Sequence, residues 1–284
     1  MVTVINTLTD LKRHRIQQKN EIGFVPTMGN LHDGHISLLN EALSEFKSVY
    51  FSIFVNPKQF GPQEDYNRYP RTLEEDIRLI EKALGNFTDR EVTIFAPLNP
   101  QEVFPQDDNF KVSVMNLSNI LEGEIRPGHF DGVTTVVYRL FDFIKPHKAY
   151  FGLKDFQQYV IIKKMVSDLF LPIEVCGLPI IREKNGLALS SRNQYLNSEQ
   201  RQHSLTLFTS LQKIATIISG QKKNIELART EINNLLKDPN WNYFEIRDAQ
   251  SLENDISRSS QIVLLGVYQL GSTRLLDNLL LEIK

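Results

Sequence analysis

The chain has 284 residues, of which 41% are hydrophobic and 23% charged, and its formal net charge at pH 7 is −2. This near-neutral charge gives no general attraction to nucleic acid or to an anionic membrane surface, so a phosphate group would have to be bound by a local cluster of residues. The length is typical of about two domains, and the composition is that of an ordinary globular protein.

Cysteine usage and hydropathy predict a cytoplasmic protein. No apolar stretch is long enough to span a bilayer, and residues 1–20 lack the unbroken apolar core of a secretory signal. The single cysteine, Cys176, rules out an internal disulfide, which fits a reducing compartment. Because Cys176 lies in the apolar run 173–178, we interpret it as a packing residue rather than a nucleophile.

The first part of the chain alternates predicted strands with predicted helices. Short apolar runs predict strands over residues 22–25, 48–55, 92–96, 112–115, 149–151 and 173–181. Apolar residues spaced three or four apart predict helices over residues 9–18 and 73–84, from Gly132 to Pro146, and after turns at residues 29–34 and 152–155. This alternation predicts an α/β domain over residues 1–177, with a Rossmann-like, doubly wound and mostly parallel sheet.

The pattern changes after about residue 180. Helices are predicted over residues 197–219 and 224–236, followed by clustered strands over residues 243–247, 261–269, 273–276 and 279–283. Two helices followed by several strands indicate an α+β arrangement. We therefore predict a smaller C-terminal α+β domain over residues 178–284, which covers the site carried by the first domain.

Residues 24–35, with the sequence FVPTMGNLHDGH, form the most informative stretch. They read as the end of a buried strand, a tight turn and the first turn of a helix, whose free N–H groups and dipole suit a phosphate. His32 and His35 are three residues apart, so both imidazoles lie on one face of that turn. The alternatives are solvated loop histidines or half of a metal site. The stretch has neither a P-loop nor a G-x-G-x-x-G pattern, but it resembles the H-x-G-H signature of nucleotidyltransferases.

Three other polar segments are candidates for a site. Residues 56–61 follow a predicted buried strand, and ligands of open α/β sheets bind at that edge. Residues 121–131 are polar and punctuated by glycine and proline, which predicts a loop that could act as a mobile cover. Thr72 and Glu75 have the spacing of a capping box at the start of a helix.

Six motifs occur in the order and spacing of one family, and together they resemble the pantoate–β-alanine ligases, also called pantothenate synthetases. The motifs are PTMGNLHDGH, FVNPKQFGPQEDY, YPRT with Asp76 beyond it, EGEIRPGHFDGV, AYFGLKDFQQ and LALSSRNQYL. The resemblance implies an ATP-dependent condensation of pantoate with β-alanine through a pantoyl adenylate, with release of pyrophosphate and AMP. It also implies a homodimer and Mg²⁺.

The resemblance assigns roles to individual residues. The catalytic residues would be His32, His35, Lys154 and Arg192. The ATP-binding residues would be these four with Met28, Gly29, Gly152, Asp155, Leu189, Ser190 and Ser191. The pantoate-binding residues would be Pro26, Met28, Asn56, Gln59, Phe60 and Gln158. Arg126 and His129 would lie on a lid loop, and Asp76 would contact Mg²⁺.

Several of these residues have ordinary structural alternatives. Asp155 could cap a helix, Phe60 could pack in the core, and the two serines could simply form a turn. Either glutamine could be a solvated surface residue, as could Asp76. Two other functions are an H-x-G-H transferase with a phosphorylated acceptor and a nucleotide-binding regulatory protein without catalysis. The neutral amides of the 56–60 loop argue against the first, and the intact polar motifs argue against the second.

Overall fold

The computed structural model describes residues 1–220 and 224–283. The chain forms two compact units, the first from Met1–Leu153 with Ile161–Pro179, and the second from Lys154–Val160 with the chain from Ile180 onward. Within the described ranges, no helix has the length and apolar character needed to cross a membrane.

The helices and strands of the first unit follow the predicted alternation. In chain order they are β1 Val2–Ile5, α1 Leu8–Gln17, β2 Ile22–Thr27, α2 Asp33–Glu45, β3 Ser48–Ile53, α3 Leu73–Leu84, β4 Glu91–Phe95, α4 Glu122–Ile125, α5 His129–Ile144, β5 Lys148–Gly152, α6 Phe156–Asp168 and β6 Glu174–Leu178. Helix α6 begins in the segment that belongs to the second unit and ends in the first.

The six strands form one parallel sheet in the order β1-β4-β3-β2-β5-β6. Successive side chains of a strand point to opposite faces, and both faces are covered here. Val25 of β2 belongs to the cluster with Leu39 of α2 and Ile80 of α3, whereas the ring of the preceding Phe24 contacts Phe141 of α5. The prediction of a doubly wound α/β sheet is confirmed.

The direction of the winding reverses between β2 and β5, which are neighbours in the sheet although β3 and β4 lie between them in the chain. Strands β2, β3 and β4 are added toward one edge, and β5 and β6 toward the other. In open α/β sheets, ligands bind outside the carboxyl ends of the strands at such a switch point. The turn that follows Thr27 and the end of β5 at Gly152 are therefore the expected position of a ligand.

The second unit has its own sheet and core. Its elements are α7 Ser198–His203, α8 Leu205–Ser219, α9 Ile225–Leu235, β7 Trp241–Asp248, β8 Gln261–Leu270 and β9 Thr273–Glu282. The three strands form an antiparallel sheet in the order β7-β8-β9. Residues of α8, such as Leu211 and Ile214, share a buried cluster with Phe244 of β7 and Leu264 of β8. The predicted C-terminal α+β arrangement is confirmed.

Two predictions in the first unit were wrong. Residues 112–115 are not a strand, because the backbone N–H and C=O of Val112 are paired with the hydroxyls of Thr135 and Thr134 on α5 instead of a neighbouring strand. Residues 121–131 are not a loop, since they contain α4 and the first turns of α5, which starts at His129 rather than Gly132. Strand β1, at the start of the chain, was not predicted.

Two predictions in the second unit also need correction. The helix predicted over residues 197–219 is divided at Ser204, whose hydroxyl donates to the carbonyl of Arg201 and competes with regular helix geometry. The two strands predicted over residues 273–276 and 279–283 are one strand, β9, which pairs with β8 along its whole length. The polar pair Asp277 and Asn278, which was left between the two predicted strands, lies inside this strand.

Candidate functional site

The turn between β2 and α2 ends in a helix cap made of two histidines. His32 is the N-cap residue of α2, and its Nδ1 accepts a hydrogen bond from the N–H of Gly34 at 3.1 Å. In return, Nδ1 of His35 accepts from the N–H of His32 at 3.3 Å. The arrangement is a capping box in which imidazoles take the usual place of Ser and Glu.

This capping box determines which ring nitrogen of each histidine carries the proton. A backbone N–H can only donate, so Nδ1 of both His32 and His35 must be an acceptor. The proton of each neutral ring is therefore on Nε2. The two ring centroids are 4.2 Å apart, so two imidazole N–H donors are brought together at the amino end of a helix, as a phosphate requires.

Asp76 of α3 holds the turn in shape. Its Oδ2 accepts from the N–H of Asn30 at 3.0 Å and its Oδ1 from the N–H of Leu31 at 2.8 Å, while the hydroxyl of Thr72 donates to Oδ1 at 3.2 Å. Asn30 has a positive φ of 52°, which these bonds stabilise. Burial raises the pKa of the Asp76 carboxyl, although the two backbone hydrogen bonds oppose this shift.

These contacts bear on two interpretations of the same region. The predicted capping box of Thr72 and Glu75 is not formed, because the Thr72 side chain donates to Asp76 instead of accepting from the helix backbone. Both oxygens of the buried Asp76 accept hydrogen bonds from the turn, so its carboxylate shapes the turn, and its predicted contact with Mg²⁺ stays a prediction. In residues 1–220 and 224–283, no group of three His, Cys, Asp or Glu side chains is arranged to hold a metal ion.

Gly29 is a position where the turn requires glycine. Its φ is +85°, and a Cβ there would lie 3.0 Å from both Oδ2 of Asp76 and a methyl carbon of Ile53. The N–H of Gly29 donates to the hydroxyl of Thr27 at 3.2 Å. Gly29 therefore shapes the turn.

The loop after β3 places the carboxamide of Gln59. Asn56 is 1% exposed, and its Nδ2 donates both to Oε1 of Gln59 at 3.0 Å and to the carbonyl of Gly132 at 3.1 Å. Its Oδ1 accepts from the N–H of Lys58 at 3.1 Å. Asn56 donates to the oxygen of the Gln59 carboxamide and so fixes the orientation of this group. The NH₂ of Gln59 is then the side that can donate a hydrogen bond to a ligand.

Phe60 lies among aromatic rings of the same unit. Its ring makes edge contacts with Tyr66 and Tyr69, with centroids 5.4 Å and 5.9 Å away. The packing alternative for Phe60 is therefore realised, and its predicted role in pantoate binding stays a prediction.

Arg126 and His129 hold the loop that carries Gln59 in place, and we call their contacts with Gln59 and Glu64 the clamp. The Arg126 guanidinium donates from Nε and Nη2 to the two carboxylate oxygens of Glu64, each at 2.7 Å. Nδ1 of His129 donates to the carbonyl oxygen of Gln59 at 2.7 Å, and its Nε2 accepts from Arg126 at 3.1 Å. Burial alone would raise the pKa of Glu64, but the hydrogen bonds and charge of Arg126 hold it below its ordinary value of 4.5. These residues do not lie on a loop, since Arg126 caps the end of α4 and His129 begins α5, and their predicted action as a lid stays a prediction.

Replacing Arg126 with alanine tests the prediction that Gln59 binds pantoate. The change removes the ion pair with Glu64 and the support of His129, so the Gln59 backbone loses part of its clamp. We expect the KM of the pantoate substrate to rise roughly tenfold and unfolding to become easier by about 1–2 kcal/mol. Steady-state kinetics with separate titration of each substrate measures the first effect, and chemical denaturation measures the second.

The pH dependence of stability gives a check on the same ion pair. Because the pKa of Glu64 is lowered in the folded chain, its carboxylate stabilises the fold above pH 4.5, and this contribution is lost as the pH falls below that value. The stability difference between the unchanged chain and Glu64→Gln should therefore shrink on acidification. A difference that is constant from pH 7 to pH 3 would contradict this account of the clamp.

Lys154 and Asp155 of the second unit lie next to each other before α6. The Nζ of Lys154 is 3.1 Å from Oδ1 of Asp155. The Lys154 side chain is 20% exposed and that of Asp155 52%. Gln158 is half-buried on the first turn of α6, and the following segment joins the first unit at Ile161.

The serine-rich segment of the second unit also has a defined cap. Ser190 is the N-cap of a 3₁₀ turn over Ser191–Tyr195, and its hydroxyl accepts from the N–H of Arg192 at 3.3 Å. The buried Asn193 donates from Nδ2 to the carbonyl of Ala188 at 2.9 Å. The turn alternative is therefore realised, and it arranges two hydroxyls and a guanidinium around one short helical turn.

The predicted site residues thus fall into two groups, one in each unit. In the first unit, most of them lie at the ends of strands or in the loops that follow: Pro26, Met28, Gly29, His32, His35, Asn56, Gln59, Phe60, Asp76, Arg126, His129 and Gly152. The second unit carries Lys154, Asp155, Gln158, Leu189, Ser190, Ser191 and Arg192. Within the first unit, contacts join His32 to His35, and Asn56 and His129 to Gln59.

The prediction from sequence missed Glu64 and the close approach of Gly132. A Cβ at Gly132 would lie 2.2 Å from the Lys58 carbonyl oxygen, so only glycine allows α5 to meet the Gln59 loop. The sequence signal for Glu64 was its place in the polar stretch after Gly61. Nothing in that stretch indicated that its partner would be Arg126, 62 residues away.

The parallel sheet, its switch point and the histidine-capped helix define an α/β protein with an H-x-G-H turn at the expected ligand position. The family model for "Pantoate-beta-alanine ligase" matches residues 1–280. Among curated relatives, the pantothenate synthetases of Thermosipho africanus and Acetivibrio thermocellus are 41% and 42% identical, each with 99% of both chains covered.

Solved structures agree with these matches. The pantothenate synthetase of Thermus thermophilus has a TM-score of 0.89 at 39% identity, covering 98% of this chain and 99% of that one. The pantoate–β-alanine ligase of Francisella tularensis, complexed with "Beta-gamma ATP and Beta-alanine", has a TM-score of 0.73 at 34% identity, with 99% and 98% covered. The chain belongs to the pantoate–β-alanine ligase family, and the family resemblance read from the sequence is confirmed.

Proposed function

We propose that this chain makes pantothenate in two steps, through a pantoyl adenylate. The pantoate carboxylate attacks the α-phosphorus of ATP, forming a mixed anhydride and releasing pyrophosphate. The amine of β-alanine then attacks the activated carbonyl, forming the amide and releasing AMP. A carboxylate does not form an amide unaided, whereas the adenylate has a good leaving group. Family membership and the paired Nε2–H donors of His32 and His35 carry this proposal.

The first step needs stabilisation of charge on phosphate oxygens rather than a protein nucleophile. We assign that work to His32 and His35, whose Nε2–H groups donate to ATP phosphate oxygens without needing to be protonated. In the second unit, Lys154 and Arg192 supply positive charge to the phosphates, and the hydroxyls of Ser190 and Ser191 add donors. The remaining ATP contacts in the proposal come from Met28, Gly29, Gly152, Asp155 and Leu189.

Pantoate is assigned to the residues around the oriented amide. Gln59 would donate from its NH₂ group to a hydroxyl or carboxylate oxygen, because Asn56 occupies its Oε1. Gln158 offers a second carboxamide, and Pro26, Met28 and Phe60 offer apolar surface for the gem-dimethyl group. The neutral charge of these contacts suits a small hydroxy acid better than a phosphorylated acceptor.

The proposal also includes Mg²⁺ as a cofactor, a homodimer as the assembly and the cytoplasm as the location. Mg²⁺ would arrive bound to the triphosphate, which leaves it needing few protein ligands, and Asp76 is the carboxylate that we propose nearest to it. A homodimer follows from the family resemblance, and a reducing cytoplasm suits a chain with one cysteine.

Pyrophosphate release tests the proposed order of steps. ATP and pantoate together should give one equivalent of pyrophosphate per site without β-alanine, and the addition of β-alanine should start multiple turnovers with formation of AMP. ATP with β-alanine alone should give none. Release of pyrophosphate that required all three substrates would contradict a separate adenylate, and release of phosphate instead of pyrophosphate would contradict adenylyl transfer.

A further inference from the structure

Strand β9 carries a buried polar pair that the proposed reaction does not use. Asp277 and Asn278 are 4% and 3% exposed, and they stand between leucines on both sides, in the sequence LLDNLLL. Burying a carboxylate and an amide in an apolar strand costs free energy unless both are paired. The hydrogen-bond partners of Asp277 and Asn278 therefore indicate the structural role of the pair.

Asp277 is paired with Arg182 in two places. Oδ2 of Asp277 is 2.5 Å from Nη1 of Arg182, and Oδ1 is 2.8 Å from Nη2. Arg182 also donates to the carbonyl of Gly186 and lies 4.1 Å from the ring centroid of Phe208. This bidentate pair is held on several sides, so it fixes the position of Asp277 in β9.

Arg182 belongs to a hairpin that leads into the serine-rich segment. It forms an antiparallel bridge with Ala188, and the N–H of Leu189 donates to the carbonyl of Ile181 at 2.9 Å. Ser190 follows directly. The Asp277 pair therefore attaches the base of this segment to β9.

Asn278 reaches a different segment of the second unit. Its own N–H donates to Oδ1 of Asp277 at 2.8 Å, and its Nδ2 donates to the backbone carbonyl of Lys154 at 2.9 Å. Lys154 is 124 residues away in the chain and is not part of the second unit's sheet. One buried dipeptide thus connects the two segments to which phosphate contacts are assigned.

We propose that Asn278, anchored by the Asp277–Arg182 pair, is a positioning residue that holds the Lys154 backbone so that its ammonium group meets ATP phosphate. The inference rests on the role proposed for Lys154. Loss of the Asn278 amide frees the Lys154 carbonyl, and a small displacement of a charge donor is enough to lower a rate strongly. In this proposal Asn278 acts through Lys154 and not on the reacting atoms.

Kinetics of Asn278→Ala test the inference. We expect kcat to fall about tenfold and the KM of ATP to rise, while the KM of pantoate stays unchanged. In a Lys154→Ala background the same change should have no further effect on kcat, because the group that it positions is gone. Asn242→Ala is the matched control, since Asn242 is an exposed asparagine that donates to Gln269 within the same sheet.

The outcomes separate a positioning role from a packing role. If Asn278 only packs, its loss should lower the melting temperature independently of Lys154. The fold-decreases in kcat caused by Asn278→Ala and by Lys154→Ala would then multiply in the double variant, and that result would overturn the proposal. Asn278→Thr, which suits a strand and lacks the amide, repeats the test if the alanine variant does not fold. Full activity of Lys154→Ala would reject the role of Lys154 and this inference with it. The pyrophosphate assay on the unchanged chain would still test the proposed reaction independently of Lys154.

Discussion

Replacing His35 with alanine is expected to lower the rate of pyrophosphate release from ATP and pantoate by about 10²- to 10³-fold, while the fold persists. The reason is the donor geometry of the helix cap. Nδ1 of His35 accepts from the N–H of His32, so Nε2 carries a proton that can be donated to a phosphate oxygen. Loss of one such preorganised donor at a developing charge has effects of this size in acyl-transfer enzymes. Single-turnover measurement of pyrophosphate isolates the step.

The alanine change also removes half of a capping box, and a second variant separates the two effects. Glutamine at the same helix position can accept from the N-cap N–H, which preserves the cap, but it lacks the imidazole Nε2–H. His35→Gln should therefore melt like the unchanged chain and still lose most of its rate. Ser37→Ala is the control on the same turn, since the Ser37 hydroxyl donates to the carbonyl of Gly34 and is not part of the capping box. Unchanged pyrophosphate release by His35→Gln would reject the phosphate role.

Gly132→Ala should damage both stability and pantoate binding. A Cβ at this position would lie 2.2 Å from the carbonyl oxygen of Lys58, 2.4 Å from its carbon and 2.7 Å from the N–H nitrogen of Gln59. All three are backbone atoms, so the loop itself must move. We expect unfolding to become easier by about 2–3 kcal/mol, and kcat/KM for pantoate to fall roughly a hundredfold, because Gln59 moves with the loop.

Gly61→Ala gives a matched control two residues beyond Gln59. The three heavy atoms nearest its Cβ would be side-chain atoms of Glu64, at 3.7 Å or more, which is ordinary contact. That variant should keep both its stability and its kinetics. If Gly132→Ala had normal kinetics with pantoate, the contact between α5 and the Gln59 loop would not control substrate binding. Titration of ATP serves as the internal reference, because its KM should change little.

The architecture could be predicted largely because each strand and helix has a local pattern. Residues 48–53 are almost wholly apolar and lie in the middle of a sheet covered on both faces. The failures occurred where tertiary partners decide the structure. Val112 bonds to hydroxyls of α5, and Asp277 lies inside a strand because Arg182 neutralises it. Neither partner is close in the sequence.

Residue types and their order predicted much of the candidate site, but not the contacts that hold it. The spacing of His32 and His35 indicated a phosphate turn, yet the capping box that fixes their tautomers depends on backbone geometry. Asp76 resembled a solvated helix residue, and its two backbone donors lie 45 and 46 residues earlier. Arg126 resembled part of a mobile cover, because nothing near it in the chain revealed Glu64 as its partner.

The path of the chain limits how this protein can be dissected. It passes from one unit to the other after Leu153, returns at Ile161, and crosses again after Pro179. A fragment that stops near residue 179 would keep the lysine at position 154 but lose strand β9, whose asparagine amide binds that lysine's carbonyl. The two halves are therefore not interchangeable modules. A fusion protein or a domain exchange should therefore use the whole chain and not one of its units.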